Sequence, residues 1–189
     1  MAPSFSACLL AGGKSTRMGR DKALLPMPGG QLLWQRQLRI LEELQPREIL
    51  WSGEPRPGLP AHLRIVRDLI PHAGPLGGIS ACLDTLKTDL LVVLAIDLPQ
   101  MTSAFLRSLL APCAGSRGAV IRHGDYFEPL AAIYPQILAS LAREQLRQHR
   151  HTMQEFIHTA VDAGHLTIHP LEEHDQPLFH NANSPADAS

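Results

Sequence analysis

Short apolar runs alternate along this chain with stretches of helical periodicity. Phe5 to Leu10 reads as a buried strand, and Ala11 to Gly19 as a glycine-rich loop. From Leu32 to Leu44, positions Leu33, Gln37, Ile40, Leu41 and Leu44 recur at helical spacing, and Pro46 stops the helix. Glu48 to Trp51 and Leu63 to Val66 are expected strands, separated by a loop rich in Pro and Gly. Gly77 to Leu86 is an expected helix entered through Gly74-Pro75. Leu90 to Ile96 is continuously apolar, as a strand buried on both faces should be. Ser103 is expected to cap a helix reaching Leu110. Ala119 to Arg122 and Pro129 to Tyr134 predict two strands about a His123-Gly124-Asp125 turn. Pro135 opens a helix to about Gln148, Thr152 opens another to Ala163, and Leu166 to His169 is a last strand. From Ser184 onward the pattern is that of a frayed tail.

Strands alternating with helices predict an α/β fold with a mostly parallel sheet. Such sheets bind ligands beyond the carboxyl ends of their strands. The loops after Leu10, Trp51, Val66 and Ile96 should therefore line one crevice. The 189 residues show no repeat, low-complexity tract or linker, so one domain over 1–189 is expected.

Composition narrows the class. A 44% hydrophobic and 19% charged chain is neither disordered nor fibrous. Its net charge of −1 gives no basic excess to advertise nucleic acid. Cys8, Cys82 and Cys113 lack CxxC spacing and are odd in number, which argues for reduced, buried thiols. The N-terminal residues do not read as a signal peptide, and Leu90–Ile96 is too short to cross a bilayer. A soluble, cytoplasmic protein without a membrane partner is the expectation.

The strongest chemical feature is Leu10-Ala11-Gly12-Gly13-Lys14-Ser15-Thr16-Arg17-Met18-Gly19-Arg20-Asp21-Lys22, directly after a core strand. Glycines let the backbone approach a ligand, and successive N–H groups can cradle phosphate. Arg17 and Lys22, with Lys14 and Arg20 nearby, supply charge for a polyphosphate. This is not a P-loop, which would need glycine where Cys8 stands, and G-x-G-x-x-G is absent. Asp97 follows the most apolar strand, where a carboxylate can hold Mg²⁺ against phosphate oxygens, or cap the next turn. Asp68 shares that expected edge, as a nucleotide contact, a second metal carboxylate or a turn residue. Gly74-Pro75-Leu76-Gly77-Gly78 leads into a helix whose glycines allow close approach and whose N-terminus favours an anion. Asn181 and Asn183 point the same way from an extended segment and can read a polar ligand. The ten histidines show no zinc spacing, and Ser15 and Ser80 lack a G-x-S-x-G context.

Together these segments resemble the nucleotidyltransferases of the glycosyltransferase-A-like fold, and among them the molybdenum cofactor guanylyltransferases. The resemblance rests on L-A-G-G-x-S-x-R-M-G-x-D-K at Leu10–Lys22, G-P-L-x-G at Gly74–Gly78 and D-x-P at Asp97. E-P-L-x-A-x-Y at Glu128–Tyr134 and N-x-N-[ST]-P at Asn181–Pro185 complete it. It implies a three-layer α/β/α sandwich of Rossmann-like, nucleotide-diphospho-sugar transferase type. It implies Leu10, Ala11, Gly12, Gly13, Lys22, Ser52, Asp68, Gly77 and Asp97 on the nucleotide, and Arg17, Lys22 and Asp97 as the catalytic set. Asp97 would bind Mg²⁺, and Asn181 and Asn183 would face molybdopterin. The chain departs from many relatives in having Ser52-Gly53 where they carry Asn, and Ile96 before the aspartate.

The implied reaction joins the terminal phosphate of molybdopterin to the α-phosphate of GTP, with pyrophosphate leaving. The nucleophile is already ionised, so no general base is needed. The resemblance also implies a molybdenum-insertion protein or molybdoenzyme chaperones as partners. Alternatives are a cytidylyltransferase of the same cofactor, a sugar-1-phosphate nucleotidyltransferase, or a silent nucleotide-binding module in the same pathway.

Overall fold

The structure, a computed structural model, describes residues 3–12, 22–27, 29–68, 70 and 73–181. Its strands are β1 Phe5–Leu10, β2 Ile49–Ser52, β3 Arg64–Val66, β4 Leu90–Ala95, β5 Gly118–His123, β6 Tyr126–Pro135 and β7 Leu166–Pro170. Its helices are α1 Leu33–Glu42, α2 Gly74–Thr85, α3 Ser103–Leu110, α4 Ala139–Arg147 and α5 Met153–Asp162. Short 3-10 turns cover Lys22–Leu24, Gln136–Leu138 and Glu173–Phe179. The last of these carries no helical periodicity and was not expected.

The strands form one sheet in the order β3-β2-β1-β4-β6-β5-β7. Six run in the same direction, and β6 alone opposes them, antiparallel to both β4 and β5. The mostly parallel sheet expected from the sequence is therefore present.

Strand side chains alternate between two buried layers. Ala7 and Leu9 of β1, with Leu90, Val92 and Leu94 of β4, join Trp34, Leu38 and Leu41 of α1 and Leu106 and Leu109 of α3. Cys8, Leu10, Leu91 and Val93 face the other way, onto Leu76, Ile79 and Leu83 of α2 and Phe156 and Ile157 of α5. Both faces of β1 and β4 are covered, which is why these strands read as continuous apolar runs.

Backbone chemistry sets several boundaries. Gln45, at φ 60°, and Pro46 end α1. Gly124, at φ 60°, takes the first place of the two-residue turn between β5 and β6, where a side chain would be strained. Two expectations need correction. The cap of α3 is Thr102, whose hydroxyl accepts from the Phe105 N–H at 3.2 Å, and Ser103 is the first helical residue. Helix α2 starts at Gly74, three residues earlier than expected, because Pro75 fits the first turn of a helix. Pro135 closes β6 and, as expected, leads into helix: it caps the 3-10 turn Gln136–Leu138, which runs directly into α4, capped at its end by Gln148. The expected tail from Ser184 lies outside the described residues. Among the described residues, no helix is long and apolar enough to cross a membrane.

Cys8 and Cys82 are free and buried, with their sulfurs 3.4 Å apart. Hydrogen bonding to Cys82, followed by burial, pushes the Cys8 thiol up. That keeps it protonated and chemically quiet, as a core thiol should be.

Candidate functional site

The carboxyl ends of β3, β2, β1 and β4 lie side by side on one edge of the sheet. Backbone hydrogen bonds continue past the strand ends. Ala11 N–H donates to Ser52 O at 2.9 Å, Gly53 N–H to Val66 O at 3.0 Å, and Ile96 N–H to Leu10 O at 3.1 Å. The four loops expected to line a crevice are thus stitched together at their roots.

Leu10 and Ala11 are buried, and Gly12 is exposed at the start of the glycine-rich loop. Gly13 and Arg17 lie outside the described residues. Lys22 begins a 3-10 turn, and its side chain is not described. Ser52 is buried at the end of β2. Gly53 has φ 132°, and a β-carbon there would stand 2.9 Å from the Gly12 nitrogen. The glycine at position 53 therefore has a local reason: the β2 end passes directly against the backbone of the first loop.

Two glycines of α2 make room for side chains of this edge. A β-carbon on Gly77 would overlap both oxygens of the Asp68 carboxylate, and one on Gly78 would overlap the Ser52 hydroxyl. Gly77 and Gly78 thus lie directly against Asp68 and Ser52. Asp68 is exposed, accepts from the Ile70 N–H at 3.0 Å, and sits by the N-terminal turns of α2, where the helix dipole favours a negative charge.

Asp97 is half-buried in the turn directly after β4. Two consecutive side chains of α1 hold that turn. Gln37, fully buried, donates through Nε2 to Leu98 O at 2.6 Å and Ala95 O at 3.3 Å. Arg36 donates to Pro99 O at 2.6 Å and Met101 O at 3.4 Å. Among the described residues, the Asp97 carboxylate makes no hydrogen bond or ion pair.

The E-P-L-x-A-x-Y segment acquires a structural meaning on β6. Pairing with β5 jumps from Ala119–Ile133 to Ile121–Glu128, a step of two residues on β5 against five on β6. The displaced stretch carries Pro129, which has no N–H to offer a ladder. The buried Tyr134 hydroxyl donates to Pro129 O at 2.8 Å and pins it. Burial pushes the Tyr134 phenol well above its ordinary range, so it stays a donor. Past the Leu94–Ala131 pair, Asp97 and Glu128 are each three residues on, so both belong to the carboxyl edge. Glu128 pairs there with His123 Nδ1 at 3.4 Å.

The segment after β7 returns across the sheet. Phe179 meets Phe105 of α3 edge to face, with ring centroids 5.5 Å apart. Asn181, two residues on, is exposed; Asn183 lies outside the described residues.

Arg56, Arg36 and Gln37 escaped the sequence reading. Arg56 sits in the Pro/Gly-rich loop after β2, stacks over Trp51 at 5.3 Å and donates to Ala11 O at 3.3 Å. No spacing marks it. Gln37 was visible only as a polar residue on an otherwise apolar helix stripe.

Residues 7–164 match the family described as the MobA-like NTP transferase domain. This chain belongs to that family. A probable molybdenum cofactor guanylyltransferase of Opitutus terrae is 37% identical over 98% of this chain and 94% of that protein. A molybdenum cofactor guanylyltransferase of Syntrophotalea carbinolica is 32% identical over 96% and 88%. The fold agrees with that of the molybdopterin-guanine dinucleotide biosynthesis protein A of Archaeoglobus fulgidus, at TM-score 0.71 and 22% identity, covering 97% of this chain and 94% of that one. As a member of the MobA-like NTP transferases, this chain is a nucleotidyltransferase, and its carboxyl edge is the place to seek nucleotide chemistry.

Proposed function

We propose that this chain is a cytoplasmic molybdenum cofactor guanylyltransferase, acting as one domain over its 189 residues. It takes GTP and molybdenum-bound molybdopterin and yields molybdopterin guanine dinucleotide and pyrophosphate. The reading is carried by near full-length identity to a relative of that name, 37% over 98% of the chain.

In the reaction, an oxygen of the molybdopterin terminal phosphate forms a bond to the α-phosphorus of GTP. The bond from that phosphorus to the β-phosphate oxygen breaks, and pyrophosphate leaves. The nucleophile is already an anion, so the obstacle is repulsion between two phosphates, and the chain's task is to bring them into line. Leu10 to Gly13, with Ser52 and Gly77, hold the nucleotide along the first loop. Arg17 and Lys22 neutralise the triphosphate. Asp68 contacts the nucleotide beside α2. Asn181 and Asn183 face the pterin substrate.

Asp97 fits Mg²⁺. Its carboxylate is a hard oxygen donor, half-buried at the carboxyl edge and unpaired among the described residues. Among the described residues there is no group of three or more His, Cys, Asp or Glu side chains that could hold a metal. Mg²⁺ favours one or two carboxylates completed by phosphate oxygens and water. Bound there, the ion would supply charge stabilisation on the reacting phosphates.

Calorimetric titration with GTP, CTP, ATP and UTP, with and without Mg²⁺, tests this on the wild type and on Asp97→Ala. A Mg²⁺-dependent preference for GTP that Asp97→Ala loses is the expected result. A preference for CTP would move the reading to a cytidylyltransferase, and binding of no nucleotide would overturn it.

A further inference from the structure

We propose that Gln37, seconded by its neighbour Arg36, is a positioning residue that fixes the Asp97 turn for metal binding. The inference rests on the reading of Asp97 as the Mg²⁺ carboxylate.

The α1 stripe that faces the sheet is otherwise apolar: Leu33, Trp34, Leu38, Ile40 and Leu41 are all buried. A core needs only another apolar side chain at position 37. Instead it holds a fully buried amide whose Nε2 bonds the carbonyls of Ala95 and Leu98. Those carbonyls bracket Ile96 and Asp97, so one amide group spans the turn. The cost is visible on the same side chain. Gln37 Oε1 is buried and has no hydrogen-bond partner among the described residues. An unpaired buried acceptor is destabilising, and the alternative amide orientation would place Oε1 against two carbonyl oxygens.

Arg36 extends the clamp down the chain. Its guanidinium bonds Pro99 O and Met101 O, in the loop that leads from the Asp97 turn to α3. From the sheet side, Ile96 N–H bonds Leu10 O. The Asp97 turn is therefore tied to the first loop by its own backbone and to α1 by two side chains. Groups that orient a metal ligand without touching the metal change affinity or activity by about 10- to 100-fold when removed.

Three variants separate this role from ordinary packing: Gln37→Met, which keeps volume and removes both donors; Arg36→Ala; and Leu41→Met, a fully buried control on α1 with no bond to the turn. Two quantities are read: the Mg²⁺ concentration for half-maximal GTP binding by calorimetry, and hydrogen exchange of the residue 96–101 amides in the metal-free protein. Gln37→Met should raise the Mg²⁺ requirement about tenfold and speed exchange in that segment. Arg36→Ala should do the same to a smaller extent, and Leu41→Met should do neither. Unchanged Mg²⁺ dependence in a folded Gln37→Met, alongside its loss in Asp97→Ala, overturns this proposal and leaves the Asp97 reading intact. Unchanged dependence in Asp97→Ala overturns both. Should Gln37→Met fail to fold, unchanged exchange and Mg²⁺ dependence in Arg36→Ala overturn the clamp.

Discussion

The two edges of the sheet treat their aspartates in opposite ways. At the amino edge, Asp89 accepts from both the backbone N–H and the hydroxyl of Ser4, each at 2.7 Å. Ser6 and Thr88 bond each other at 2.9 Å, and Glu48 meets Arg64 at 3.4 Å. Those groups satisfy one another. At the carboxyl edge, Asp97 and Asp68 form no ion pair among the described residues, while the buried Gln37 amide and the half-buried Arg36 hold the backbone around one of them. A carboxylate paired within the fold stabilises the fold. A carboxylate held in place and left without a cation is available to a ligand.

That contrast is sharpest for Asp97→Ala. Its turnover should fall by at least about 100-fold, because a bound metal supplies several kcal/mol of charge stabilisation. Its melting temperature should stay near that of the wild type; retained turnover would show that this edge is not where the metal is held. Lys22→Ala should cost about 10- to 100-fold in kcat/KM for GTP, as expected for a lost charge-assisted contact. An unaltered steady-state profile would remove Lys22 from the phosphate site. Gly77→Ala forces the Asp68 carboxylate aside, and GTP affinity should fall roughly tenfold, the loss of one hydrogen bond to a charged group. Unchanged affinity would separate Asp68 from the nucleotide.

The smallest effect belongs to the other edge. Hydrogen bonds from the Ser4 side chain and backbone hold the Asp89 carboxyl below its ordinary range. A lowered folded value stabilises the protein above the unfolded value of about 3.9 and is lost as pH falls through the folded one. Asp89→Asn should therefore lower thermal stability slightly at neutral pH, the two proteins should converge in acid, and GTP turnover should not change. A turnover defect would break the division between the edges.

The sequence made the sheet legible because its central strands, β1 and β4, are apolar on both faces and its loops are punctuated by Gly and Pro. The first loop, Asp97 and Asp68 could be read as one edge from the parallel topology alone. What stayed hidden was non-local. Gln37 and Arg36 reach carbonyls about 60 positions away, and backbone carbonyls leave no mark in a sequence. The purpose of Gly77 depends on a carboxylate from another loop. Tyr134 and Pro129 were seen as parts of one motif, yet only the register shift on β6 explains why they belong together.

The reversed strand β6 also bears on how the chain assembles. Strands β5 and β6 are joined by two residues, so their pairing closes a minimal loop and can form early. The β1–β4 pair at the sheet's centre joins Phe5 to Leu90, and such distant partners lose far more chain freedom on meeting. A buried seam at the centre of the sheet is thus among the last that diffusion can bring together. Because the first loop and the Asp97 turn hang from β1 and β4, a nucleotide that gathers them would bind only the finished seam and would draw the folding equilibrium towards it.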